Sequence, residues 1–246
     1  MDQSNARYSV FDTTGTFRTS HRRRINAFVR PWPGSIDREG RIHDVTVGPT
    51  TTRVVRFDAD FSSADTFELP EFDQERYQIP IAGGMMSMSL PFAPSLVSRL
   101  DSDGRLWWGT SDRYRVHQVG FAGDTLRIIE REWDPAPVSA EEHEDALDRF
   151  ESAADEVESR VPSVKPAFDK IHVDDRDHVW IIPQVAGEEP GRYADIFDPD
   201  GRYLGRLTLP LRLPSSPVRF RDGQLYTVVA GELDVPYVLR LRILRR

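Results

Sequence analysis

The chain has 246 residues, of which 39% are hydrophobic, no cysteine, and a formal net charge of −8. This length suits one large all-β domain or two smaller domains, and the acidic balance argues against a general nucleic-acid binder, which would present a basic face. The absence of cysteine excludes disulfides, zinc–thiolate sites and cysteine nucleophiles.

No apolar stretch approaches the length of a transmembrane helix, and the polar residues from Asp2 to Arg7 do not resemble a signal peptide. Two stretches are locally basic, "HRRR" at residues 21–24 and "LRLRILRR" at residues 239–246. We interpret both as strand ends with a solvated alternate face, and the alternative is an anion site.

The first predicted elements are two short strands, "RYSVFD" and "TFRTS", joined by a turn that includes Gly15. A similar phrase returns as "RVVRFDADFSSADTF" and as "YADIFDPDGRYLGRL". Another hairpin comes before each later copy, and none comes before the first. The sequence therefore begins part-way through its own repeat.

The hairpin that precedes the later copies occurs four times. Each copy has an apolar residue, then a polar turn, then an alternating strand. The turn contains Asp and Gly because tight hairpin turns require positive φ, and in the third copy Asp177 replaces the glycine. Gly40, Gly104, Asp177 and Gly223 occupy equivalent turn positions and are 64, 73 and 46 residues apart. The four copies are "IDREGRIHDV" (36–45), "LDSDGRLWWG" (100–109), "VDDRDHVWII" (173–182) and "RFRDGQLYTVV" (219–229).

The two hairpins together make a four-stranded antiparallel unit, and repeated units of this kind predict an all-β fold, a β-propeller of about four and a half blades. We expect Trp107, Trp108, Trp180 and Tyr226 in the second strands, between or beside blades. The alternative is a β-sandwich with short strands, which would not repeat the "DGRLW" phrase.

The segments "DSDGRLWWGTSDRYRVHQVGFAGDTL" and "YADIFDPDGRYLGRL" resemble blades of six-bladed β-propellers of the NHL/TolB-like group. The resemblance covers nearly the whole chain apart from two insertions. It implies a six-bladed propeller and an exported full-length protein, in the periplasm or outside the cell. It implies no single function, because this architecture hosts sensors, scaffolds and enzymes.

Six four-stranded blades need about 24 strands, but the sequence supplies two strands, three full units and three further strands. We therefore expect that Met1 is not the natural start and that the N-terminal one and a half blades are lacking. The alternatives are closure with five blades or pairing of open edges with another copy. Open edges predict self-association of this chain.

The first insertion, residues 71–95, contains the pair Gly83-Gly84 and several flexible apolar side chains. One interpretation is a loop over residues 83–92 that acts as a lid or contacts a partner. The alternative is that "YQIPI" and "MMSMSL" form extra strands packed under a blade. The candidate partner-binding residues here are Met85, Met86, Met88 and Phe92.

The second insertion, residues 135–166, predicts a helix from Ser139 to Val161, and Ser139 with Glu142 fits a capping box. An apolar stripe predicts one buried face. The opposite face is acidic, and we expect either a solvated surface or a docking surface for a basic partner. The stripe is Leu147, Phe150, Ala154, Val157 and Val161, and the candidate acidic contacts are Glu151, Asp155 and Glu158.

No catalytic motif is evident: the sequence has no His-x-x-x-His, P-loop or G-x-S-x-G pattern. The turns "DSDG", "DDRD" and "DPDG" lack the downstream acidic ligand of a calcium loop. Six-bladed lactonases of the gluconolactonase type hold a metal with Glu, Asn and Asp, but Asn5 and Asn26 lie in other settings, so we predict no metal or cofactor. His172, on an inner strand, either faces the channel or is a satisfied structural histidine.

Two functions follow. The first is a non-enzymatic propeller that binds a ligand or a protein through the face carrying the 83–92 loop and the 139–161 helix. The second is a hydrolase or lyase of the six-bladed type that acts at the mouth of the channel, with catalytic residues that the sequence does not identify.

Overall fold

The computed structural model of the chain describes residues 7–22, 35–47, 51–62, 64–81, 83–186, 191–214, 217–231 and 234–244. In these ranges the fold is an all-β propeller built of antiparallel sheets, with one short helical insertion. The chain divides into two compact units, one of Met1–Glu71 with Ser102–Gly104, the other of Phe72–Asp101 with Arg105–Arg246.

The first unit contains a two-stranded hairpin and a four-stranded sheet in chain order. Tyr8 of the hairpin is buried against Phe57 and Phe61, and its hydroxyl donates to Asp44 of the sheet. The strands are β1 (Arg7–Phe11), β2 (Phe17–Arg22), β3 (Ser35–Ile36), β4 (Ile42–Val47), β5 (Thr52–Phe57) and β6 (Ala64–Glu68).

The second unit contains an extra hairpin, two four-stranded sheets and one three-stranded sheet, each in chain order. The hairpin is β7 (Arg76–Ile81) and β8 (Gly84–Ser89). The first sheet is β9 (Leu96–Leu100), β10 (Leu106–Thr110), β11 (Arg115–Val119) and β12 (Thr125–Glu130). The others are β13 (Phe168–Val173), β14 (Val179–Pro183), β15 (Tyr193–Phe197) and β16 (Tyr203–Thr208), then β17 (Val218–Arg221), β18 (Gln224–Ala230) and β19 (Pro236–Arg242).

The repeated Asp of the hairpin phrase organises each turn with its side chain. Asp174 accepts the backbone N–H groups of Arg176 and His178, each at 2.9 Å, and its second oxygen accepts the indole N–H of Trp180 at 3.3 Å. Asp101 makes the equivalent bond to Trp107 at 3.3 Å. These aspartates are therefore turn residues, as the sequence predicted.

The turn positions predicted to need positive φ do adopt it. Gly40, Gly104 and Gly223 have φ of 79°, 74° and 69°, and Asp177, which replaces the glycine, has φ of 63°. The left-handed region is unfavourable for a residue with a Cβ atom, and Asp is among the residues that tolerate it best. The equivalent turn positions inferred from the sequence are thus confirmed.

Strand β14 shows why the second unit is a stack of blades. Ile181 packs with Trp107 and Phe168 in a core between the first two sheets. Trp180, the residue before Ile181, is on the other face of the strand and packs with Leu225 in a core against the third sheet. Because side chains alternate across a strand, β14 is buried on both faces, which a two-sheet sandwich would not produce.

The second insertion is helical but is not one continuous helix. It forms α1 (Ala140–Leu147), a 3-10 helix (Asp148–Ala153) and α2 (Ala154–Glu158). The Ser139–Glu142 capping box is present, as predicted. The prediction of a single helix was wrong because Leu147, Phe150 and Ala153 all pack into one cluster, and a spacing of three matches the 3.0 residues per turn of a 3-10 helix.

Candidate functional site

The two insertions pack against each other in the second unit. Residues 76–89, which the sequence left open as a loop or as extra strands, form the hairpin β7–β8. One face of this hairpin covers the helical segment, with the ring of Tyr77 edge-on to Phe150 at 6.2 Å between centroids. The shared cluster buries Leu90, Ala93, Phe150 and Val157, and Tyr77, Ile79, Met88, Leu147, Ala153 and Val161 pack around it.

Polar contacts reinforce this packing. The Tyr77 hydroxyl donates to Glu156, and this carboxylate acceptor raises the pKa of the phenol. Arg160 donates to the Glu75 carboxylate and to the Arg76 carbonyl, each at 3.2 Å. Residues 75–93 and 139–161 therefore form one body, which we call the insertion platform.

A buried lysine links the start of the helical insertion to the segment after β14. Lys165 is nearly inaccessible to solvent, and its ammonium donates to the Glu142 carboxylate and, at 2.9 Å, to the Val185 carbonyl. Burial by itself raises the pKa of Glu142, but hydrogen bonds from Lys165 and Ser139 outweigh it and hold the pKa below its ordinary value. Helix α1 is thereby anchored to the blade segment after β14.

The predicted partner-binding residues fall into different environments on the platform. Met85 and Met86 on β8 are 59% and 42% exposed. Met88 lies opposite Tyr77 in the register and packs on the cluster between the insertions. Phe92 is half-buried in a turn with φ of 57°. Asp155 and Glu158 are exposed, and the side chain of Glu151 lies outside the described part of the structure.

A polar pocket between the first two sheets of the second unit was not predicted. Its volume is about 470 Å³, and Tyr114, Arg131, Asp195 and Arg206 are among its lining residues. Asp195 is fully buried and accepts from Tyr114 at 3.0 Å, Arg131 at 3.1 Å and Arg206 at 2.9 Å. Tyr203 donates to it as well, at 3.2 Å.

The electrostatics of this pocket are those of a satisfied ion network. Burial, and then the charge of Asp195, raise the pKa of Tyr114 far above its usual range. The hydrogen bond to Asp195 also raises the pKa of Arg206. With both oxygens of Asp195 engaged, the carboxylate is not available as a general base. The only trace in the sequence is a charged residue inside the strand phrase "YADIF".

His117, His172 and His178 differ in their surroundings. His117 stacks on Trp108 with 4.7 Å between ring centroids, and burial lowers its pKa. His178 lies 3.2 Å from the turn carboxylate of Asp174. His172 is buried on β13, but neither ring nitrogen has a hydrogen-bond partner among the described residues. The described residues therefore supply no partner that would satisfy His172 as a structural histidine.

Within the described ranges, no group of three or more His, Asp or Glu side chains is arranged to hold a metal ion. In the same part of the chain, no helix is long and apolar enough to cross a membrane.

No protein-family model matches the chain, and no curated protein matches it significantly. Solved structures match along most of its length. A virginiamycin B lyase from Staphylococcus aureus is 12% identical, with 99% of this chain and 80% of that chain covered and a TM-score of 0.39. A DUF4221-family member from Bacteroides vulgatus is 10% identical, with coverage of 93% and 68% and a TM-score of 0.46. A luciferin-regenerating enzyme is 13% identical, with coverage of 97% and 71% and a TM-score of 0.39. Likenesses at this level assign neither a family nor an activity.

Proposed function

We propose that the chain is a non-enzymatic binding propeller that holds a protein partner on the insertion platform. The observation that carries the proposal is that the two segments departing from the blade repeat pack into one body through a shared cluster. Segments added to a rigid scaffold are where binding residues concentrate. The partner we propose has a basic surface with apolar side chains.

Charge supports a basic partner. Several carboxylates on α1, the 3-10 helix and α2 are exposed and form no ion pair within the described residues. Such a predominantly acidic surface accelerates the encounter with an oppositely charged protein more than it adds to affinity. These carboxylates belong to Glu141, Glu144, Asp145, Asp148, Asp155 and Glu158.

The methionines supply the apolar part. Met85 and Met86 remain accessible although the neighbouring Met88 is packed into the cluster. Methionine is flexible and polarizable, and it is frequent on surfaces that bind other proteins. On the platform it offers apolar contact area beside a charged surface that attracts the partner.

The experiment compares two platform variants with a control of the same charge change. The partner captured by the parent chain is identified, purified and titrated against each variant by calorimetry. The double variant Met85→Ser/Met86→Ser tests the apolar contact, and Asp155→Lys/Glu158→Lys tests the acidic one. The control, Asp112→Lys/Asp200→Lys, reverses two exposed carboxylates outside the platform.

Met85→Ser/Met86→Ser should raise the partner's Kd by about tenfold or more, corresponding to about 1.4 kcal/mol. Asp155→Lys/Glu158→Lys should raise the Kd less and mainly slow association, because surface charge acts chiefly on the encounter. The control should bind like the parent. Circular dichroism establishes that every variant keeps the blade fold. A partner that binds both platform variants as tightly as the parent would refute the proposed surface.

The second candidate is a hydrolase or lyase acting at the channel mouth. The pocket around Asp195 gives it a site with polar groups, although the carboxylate there is fully engaged. Elemental analysis of the purified chain separates the two candidates: a stoichiometric divalent cation that is lost together with hydrolase or lyase activity supports the enzyme.

We also propose that the blades are of the six-bladed NHL/TolB-like type and that the chain self-associates through open strand edges. The Asp-centred turn that recurs at Asp37, Asp101 and Asp174 supports the first proposal. Among the described residues, β19 pairs only with β18, and an unpaired outer edge invites another strand. Sedimentation velocity tests the second proposal, which predicts a dimer rather than a monomer.

A further inference from the structure

Three inner strands of the second unit, β9, β13 and β17, carry a group of basic side chains. Arg99 comes from β9, Lys170 and His172 from β13, and Arg219 from β17. The charges of Arg99 and Lys170 both act on His172, and the charge of Arg219 acts on Arg99. The four side chains therefore form one electrostatic group, which we call the inner basic cluster.

Arg99 has no carboxylate partner among the described residues. Its only hydrogen bond there is from one guanidinium nitrogen to the Val218 carbonyl, at 3.2 Å. Arg219 donates to the same carbonyl at 3.1 Å, so two cations share one neutral acceptor. Burial, and then the charge of Arg219, lower the pKa of Arg99 to about 10. Arg99 remains charged at neutral pH in a setting that does not compensate its charge.

His172 is 1% exposed, and both of its ring nitrogens lack a hydrogen-bond partner within the described residues. Burial, and then the charges of Arg99 and Lys170, together lower its pKa to about 3. The ring is thus neutral at pH 7, with one N–H donor and one acceptor nitrogen. An unpaired buried polar group in a folded protein calls for an explanation such as a bound ion or ligand.

The cluster has an excess of positive charge. Lys170 is paired with the Asp169 carboxylate at 2.6 Å, whereas Arg99 and Arg219 form no ion pair in the described part of the chain. Arg219 is exposed, whereas Arg99 is half-buried. A charge withdrawn from water is ordinarily paired, so Arg99 lacks an anionic partner. Guanidinium groups suit carboxylate and phosphate oxygens, because their N–H donors form a planar fork.

We propose that the inner basic cluster binds the oxyanion group of a small ligand, a carboxylate or a phosphate. Arg99 supplies the charged fork, the neutral His172 ring donates its N–H, and Arg219 adds the second positive charge. This site lies on the inner strands and is separate from the insertion platform. The proposal therefore does not depend on a protein binding to the platform.

The test is a titration of the parent chain with sodium phosphate and, separately, with sodium acetate, against sodium chloride at equal ionic strength. The readout is the side-chain ¹⁵N resonances of His172, assigned by their absence in His172→Phe. The expected result is a saturable shift with one of the two anions and none with chloride. The anion that produces the shift decides between phosphate and carboxylate.

Arg99→Gln should weaken this binding by at least tenfold. Arg113→Gln, which changes an exposed arginine paired with Asp112, should leave it unchanged. Arg99→Lys keeps the charge but loses the fork, and an intermediate affinity is expected. If Arg99→Gln does not fold, Arg99→Lys provides the test of the Arg99 contribution. The proposal is overturned if neither anion shifts the His172 resonances saturably, or if the folded Arg99 variants bind as tightly as the parent.

Discussion

Replacing Asp174 by alanine removes the centre of one blade turn. The carboxylate accepts two backbone N–H groups at 2.9 Å and the indole N–H of Trp180 at 3.3 Å. Trp180 is nearly fully buried in the core between the second and third sheets of its unit. In Asp174→Ala, the buried indole N–H of Trp180 loses this carboxylate acceptor.

The magnitude follows from these contacts. Hydrogen bonds to a charged acceptor contribute about 1.5–3 kcal/mol each, and a buried donor left unsatisfied costs about 1–3 kcal/mol. Since the bonds share one carboxylate, their contributions do not add fully. We expect Asp174→Ala to lower the free energy of unfolding by about 3–5 kcal/mol, a large share of the stability of a typical domain.

Asp198→Ala is the matched control for this prediction. Asp198 accepts two backbone N–H groups, from Asp200 at 2.9 Å and Arg202 at 2.8 Å, but no tryptophan in the described structure. Its loss should cost about 1–3 kcal/mol. Urea unfolding followed by circular dichroism measures both. If Asp174→Ala is no more destabilising than Asp198→Ala, the contribution assigned to the Trp180 bond is refuted.

Three further predictions concern the Lys165–Glu142 ion pair and one blade turn. Lys165→Met leaves the part-buried Glu142 without its cation. We expect the free energy of unfolding to fall by about 1–3 kcal/mol and hydrogen exchange in α1 to become faster. Unchanged exchange would contradict the anchoring role. Because the folded-state pKa of Glu142 is depressed below the ordinary 4.5, its stabilisation is present above that value and is lost as pH falls through the depressed pKa. Hydrogen exchange of α1 should therefore accelerate, relative to intrinsic rates, as the pH falls below 4.5 and through the depressed pKa, and Glu142→Gln should remove this dependence. Gly223 has φ of 69° with open space around its missing Cβ, so Gly223→Ala should cost about 1–2 kcal/mol through backbone conformation alone, and an unchanged urea midpoint would count against this.

The blade repeat was predictable from the sequence because its determinants are local. An Asp and a Gly a few residues apart set each turn, and Asp177 was recognisable as a glycine replacement because it occupies the same position in the phrase. The bond from the turn Asp to the tryptophan six residues later was not predicted, although the spacing is visible in "DSDGRLW". Its geometry depends on how the second strand packs between sheets.

The sites were less predictable because they join residues distant in the chain. The Tyr114–Asp195 bond spans 81 residues, and the contact of Arg99 with the Val218 carbonyl spans 119. Nothing near these residues in sequence indicates such pairings. The helical insertion was recognised from its cap and its apolar stripe. Its 3-10 segment was not, because it depends on packing against a hairpin about 70 residues earlier.

Site-specific photo-cross-linking shows directly whether a partner binds the insertion platform. A photoreactive amino acid is placed at Met86, at Asp155, or at Leu126, which is exposed on β12 outside the platform. If the partner binds the platform, it should cross-link from positions 86 and 155 and not from position 126. Cross-linking from position 126 with none from either platform position would contradict it.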